Sequence, residues 1–132
     1  MKVTNGKVLI FFGIIHPLLA ISPAAFGKQF SGFANKYFFK ISDGLFEFPL
    51  LGGQMNYENF AAIWFFYCGL FFIPSGVLLN YVEHEGKIIP KSFIWVYLIV
   101  VLIGVYMIPF SGMAILMLPH ALFMLLKNNQ KN

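Results

Sequence analysis

Arginine is absent from this 132-residue chain, cysteine occurs once, and acidic residues number five. Each scarcity excludes something. The formal charge of +4 rests on nine lysines set in ones and twos between apolar segments, which is not how a nucleic-acid surface is built, and no nucleic-acid partner is expected. The single Cys68 rules out an intrachain disulfide and, lying in an apolar segment, reads as a buried inert thiol. Charged residues make up 11% of the chain against 59% hydrophobic, where about 25% charge is usual for soluble domains. So little polar surface is left that the chain reads as an integral membrane protein, one domain over residues 1–132, with the lipid bilayer as its principal partner.

What is present is long uncharged runs. Residues 8–27 form one of 20 residues, the length of a helix crossing about 30 Å of hydrocarbon. Lys2 and Lys7 before it and small residues near Ser22 give it a superficial likeness to a signal peptide. His16-Pro17 in its middle and further spans downstream argue against cleavage. In residues 26–41, at about 100° per residue, Phe26, Phe30, Phe33, Ala34, Tyr37, Phe38 and Ile41 share one side, with lysines and amides opposite. That pattern predicts an amphipathic helix lying in the headgroup plane between spans one and two. The segment 45–53, with Pro49 and Gly52-Gly53, is too short to span and reads as a re-entrant or interfacial loop.

Residues 60–82 form span two, with Trp64 and Tyr81 near its ends. Pro74 and Gly76 within it mark a kink and close packing. The uncharged run 92–126 would make a helix about 52 Å long, too long for one crossing. Pro109-Phe110-Ser111-Gly112 divides it into span three (92–108) and span four (111–126). The fold class that follows is all-α, a four-helix membrane bundle with an interfacial helix. Lys2, Lys7, Lys87, Lys91, Lys127 and Lys131 would lie on one side, against Lys28, Lys36 and Lys40 on the other, so both termini are expected in the cytoplasm.

Two histidines stand inside these runs, each bonded to a proline: His16-Pro17 and Pro119-His120. Titratable rings at membrane depth are functional candidates, because hydrocarbon offers them no partner. Each proline also leaves a carbonyl without its helical donor, Gly13 and Ile115 respectively. One reading is packing, each imidazole bonded to a neighbouring helix or to a freed carbonyl. The others are a small-molecule or proton site, and a haem or metal held by the two rings. Two ligands suffice for haem but do not close a tetrahedral zinc site. Tyr67, Ser75 and Tyr106 are further polar groups at depth. Tyr67 and Ser75, eight residues apart, would share a face lining an interior with the histidines.

Catalytic signatures are absent: no phosphate-cradling glycine loop, GxSxG, HExxH or CxxC occurs. Asp43, Glu47 and Glu58 read as solvated loop charges, as does the turn Glu83-His84-Glu85, whose adjacent side chains diverge. Met113, Met117 and Met124 form a helical stripe suited to packing, with a soft Cu(I) site as the alternative.

Three short motifs, Gly13-Ile14-Ile15-His16, Pro74-Ser75-Gly76 and Pro109-Phe110-Ser111-Gly112, resemble those of small four-span bacterial inner-membrane proteins, broadly DoxX-like. The resemblance implies a multi-pass protein of the bacterial inner membrane and a link to quinone-coupled electron transfer, but transfers no site residue. The leading expectation is a non-enzymatic protein without a cofactor. It would bind an apolar small molecule between helices or serve as an accessory subunit, as a homo-oligomer or within a membrane complex. The competing class is a redox or transport component using His16 and His120 with haem, quinone, metal or protons.

Overall fold

A computed structural model describes residues 3–36 and 56–129. Among them there is no strand, and the fold is all-helical. The elements are α1 (Asn5–Ile21), α2 (Gly27–Lys36), α3 (Tyr57–Leu70), α4 (Phe72–His84), α5 (Lys91–Met107), a π-helical stretch (Met113–Met117) and α6 (Leu118–Asn129). Two compact units divide the chain: Val8–Gly76, and Met1–Lys7 together with Val77–Asn132. The loop expected over residues 45–53 and the carboxylates Asp43 and Glu47 lie outside the described residues.

In the unit Val8–Gly76, α3 starts where the Asn56 side chain accepts from the Asn59 N–H at 3.1 Å, satisfying a donor of the first turn. α3 and α4 together run 28 residues, Tyr57–His84, and are long and apolar enough to cross a membrane; the other apolar helices have 10–17 residues. The interruption at Phe71 has a cause three residues on. Pro74 has no N–H for the Leu70 carbonyl and its ring crowds that carbonyl, so the ladder breaks there. Ser75 turns its hydroxyl back to donate to the Phe71 carbonyl at 2.8 Å.

The amphipathic segment forms a helix over Gly27–Lys36, while residues 37–41 lie outside the described residues. Part of its apolar face meets α3. Phe33 is buried, Phe30 meets Phe66 with ring centres 5.3 Å apart, and Gln29 donates to Glu58 at 3.3 Å.

In the second unit, α5 buries Ile94, Leu98 and Val101, an i, i+4, i+7 row, and packs along α6 and the π-helical stretch. The turn between them holds Pro109 and a fully exposed Phe110. The π-helical register has a local reason: Pro119 denies the Ile115 carbonyl its donor, and the Leu118 N–H reaches back five residues to the Met113 carbonyl. Met113 from this stretch fills the space over Gly104, where a Cβ would collide with its sulfur.

Candidate functional site

Among the described residues, the densest polar arrangement lies in the unit built from Met1–Lys7 and Val77–Asn132. An α-helix leaves its first N–H groups without partners and carries partial positive charge there. At α1, Thr4 occupies the capping position, its Oγ1 accepting from the Lys7 N–H at 3.2 Å and donating to Asn80 Oδ1 at 2.5 Å. The Glu83 carboxylate takes a second N–H and a side chain: Oε2 accepts from the Gly6 N–H at 2.9 Å and Oε1 from Asn5 Nδ2 at 2.7 Å. Asn5 is only 5% exposed, so its amide is bonded to a charge away from water. Gly6 permits the close approach, since a Cβ there would overlap the Asn80 backbone.

Beside this cluster is a cavity of about 220 Å³. Asn5, Glu83, Lys87, Lys127 and Asn128 supply its polar lining, and Val3, Ile88, Ile89 and Met124 its apolar lining. The loop that presents Lys87 is fixed by the end of α4. Gly86, at φ 70°, donates its N–H to the Glu83 carbonyl at 3.2 Å, and the Lys87 N–H reaches the Val82 carbonyl at 3.1 Å, a Schellman closure. Lys127 in the last turn of α6 sets its ammonium 5.4 Å from the centre of the Phe123 ring.

His120 belongs to this same unit. It is 7% exposed, and its Nδ1 lies 3.2 Å from the Tyr97 hydroxyl, the rings meeting edge-on at 71°. Tyr97 sits on the α5 face that carries Ile94, Leu98 and Val101. That hydroxyl is a partner for a buried imidazole contributed by a neighbouring helix.

His16 belongs to the other unit. Its ring packs at 4.2 Å and 31° on Phe65 and edge-on against Phe72 at 6.5 Å. Nδ1 is buried with no hydrogen-bond partner and faces Gly69, where a Cβ would come within 2.5 Å of it. Here the ring fills a slot that glycine opens.

Tyr67, Ser75 and Tyr106 do not line an interior. Tyr67 is 50% exposed and Tyr106 87%, and Ser75 is exposed with its hydroxyl spent on Phe71. The break at Phe71 falls between Tyr67 and Ser75, so an eight-residue phase does not carry across it. Cys68 is exposed rather than buried. Glu83 is not a solvated turn charge but the partner of the α1 terminus, whereas His84 and Glu85 are exposed. Among the described residues no group of three or more His, Cys, Asp or Glu could hold a metal ion.

Compared with known proteins, residues 1–131 match the model of a family described as a family of unknown function, DUF6463. The chain belongs to the DUF6463 family. No curated protein and no solved structure matches it. The DUF6463 match takes in both histidines and the Thr4–Glu83 cluster alike, while the DoxX-like resemblance rests on its three short motifs alone.

Sequence reasoning passed over Thr4, Asn5, Asn80, Tyr97 and the role of Glu83. Signals for Thr4, Asn5 and Asn80 were present. Thr4-Asn5-Gly6 directly before an apolar run is a helix-start signature. Asn80 is the single amide within the run 60–82.

Proposed function

We propose that the protein is a small multi-pass membrane protein that binds an amphiphilic molecule among its helices without transforming it. Four apolar passes would cross the bilayer: α1, α3 with α4, α5, and the π-helical stretch with α6. The observation that carries this reading is the row of large apolar side chains left uncovered on each pass. Phe11 and Leu18 on α1, Val77 and Leu78 on α4, Val96 and Ile103 on α5, and Ile115 and Phe123 on the last pass are all more than half exposed. In water such surface exceeds what soluble monomers leave open; in lipid it is the ordinary exterior. The lysine distribution favours cytoplasmic termini, and the DoxX-like resemblance favours a bacterial inner membrane.

Amphiphile binding is favoured over chemistry by the cavity that joins lysines and buried amides to isoleucine and methionine. The test is carbonate extraction of membranes, a reporter fused after Asn132, and mass spectrometry of molecules that co-purify. Retention in the membrane, a cytoplasmic reporter and a co-purified amphiphile are expected. A Soret band or stoichiometric metal, lost on His16→Ala and His120→Ala, would replace this reading with a redox one.

A further inference from the structure

We infer that the cavity beside Glu83 seats the phosphate headgroup of an anionic lipid, held by Lys87 and Lys127; this rests on the membrane reading above. Its place in the fold sets the depth. The lining comes from the start of α1, the end of α4, the loop that follows and the last two turns of α6, so every contributing element is at or near a helix end. In a chain whose helices cross the bilayer, helix ends lie at the level of lipid headgroups.

Size and charge set the ligand. At about 220 Å³ the cavity is below the range of pockets that enclose whole drug-sized molecules, so it takes a headgroup and leaves the chains outside. Its lining carries two lysines against one carboxylate. That carboxylate is already engaged: both Glu83 oxygens accept hydrogen bonds from Asn5 and Gly6, at the positive end of α1. Two lysines against that one carboxylate, itself held at a helix N-terminus, leave the lining net cationic. Ile88 and Met124 continue the lining as apolar wall, suited to a glycerol backbone and the first methylenes of an acyl chain. A basic pocket between helix ends recognises anionic headgroups, whereas lysine on an open face attracts any anionic surface without selection.

The test uses the purified full chain in neutral detergent, titrated with dioleoylphosphatidylglycerol or dioleoylphosphatidylcholine and read by native mass spectrometry. The phosphatidylglycerol adduct should form at least about tenfold more tightly. Lys87→Gln with Lys127→Gln should abolish that preference, while Lys28→Gln with Lys91→Gln, equal in charge but outside the cavity lining, should keep it. Equal binding of the two lipids, or equal loss in both double variants, overturns the site. Inorganic phosphate that binds alone in a Lys87- and Lys127-dependent way and displaces the lipid at equal concentration assigns the site to a soluble anion and overturns the lipid. Protein that washes out of membranes in carbonate fails the membrane reading itself; protein that stays in but shows no lipid preference fails only this inference.

Discussion

His16 lies against Gly69 so closely that a methyl group on the glycine would stand 2.5 Å from the imidazole Nδ1. Phe65 covers one face of the same ring at 4.2 Å. A ring sandwiched in this way is held by shape, and its orientation is set by a residue with no side chain. The same glycine faces the Pro17 ring, 3.0 Å from the Cβ position, so His16 and Pro17 dock on α3 together.

Gly69→Ala should therefore destabilise the protein by about 1–3 kcal/mol, the range for overpacking a fitted interior. The Gly69→Ala/His16→Ala double variant should recover part of that loss, because the smaller residue vacates the space the methyl needs. Denaturant unfolding in mixed micelles measures both. Strict additivity of the two substitutions would show that His16 is not what Gly69 accommodates.

Tyr97 and Tyr106 provide an internal contrast on one helix. Tyr97→Phe removes the hydroxyl 3.2 Å from His120 Nδ1 and should cost about 1 kcal/mol, while Tyr106→Phe should stay within about 0.5 kcal/mol. Thermal unfolding of the two variants side by side is sufficient. If the Tyr106 variant is the weaker one, α5 buries a different face.

The helical phase explains why these tyrosines were easy to confuse in the sequence. Residues 92–108 are apolar almost throughout, so periodicity does not reveal which face is inward; burial of Ile94, Leu98 and Val101 selects Tyr97 and turns Tyr106 out. The all-helical fold and the Pro109–Gly112 turn were legible because they depend on apolar run length and on proline and glycine chemistry, both local. The bond from Asn5 to Glu83 was not, since it joins residues 78 apart. The partner of His16 was hidden for another reason: a search for polar neighbours passes over glycine.

Two glycines should respond in opposite directions to the same substitution. At Gly86 the left-handed φ of 70° closes α4, so Gly86→Ala should cost about 1 kcal/mol. Gly32 lies inside α2 with nothing within 4 Å of the Cβ position, and Gly32→Ala should raise stability by up to about 1 kcal/mol through helix propensity. Melting temperatures of the pair measure this. A stabilising Gly86→Ala would mean that the loop bearing Lys87 is not held by the Schellman closure.

Glu83→Ala strands the Asn5 amide and the Gly6 N–H at once, and should cost about 2–3 kcal/mol because both bonds run to a charged acceptor. Glu83→Gln keeps one oxygen for the Gly6 N–H but turns an NH2 toward Asn5 Nδ2 and gives up the charge at the α1 terminus; about 1–2 kcal/mol is expected. Asn5→Ala in the Glu83→Ala background should then add little, since its partner is already gone, whereas Thr4→Ala should add its own cap loss of about 1 kcal/mol. A double-mutant cycle by denaturant unfolding separates the two. Additive Asn5 and Glu83 losses would mean that the carboxylate serves the helix terminus through Gly6 alone, with the buried amide satisfied elsewhere.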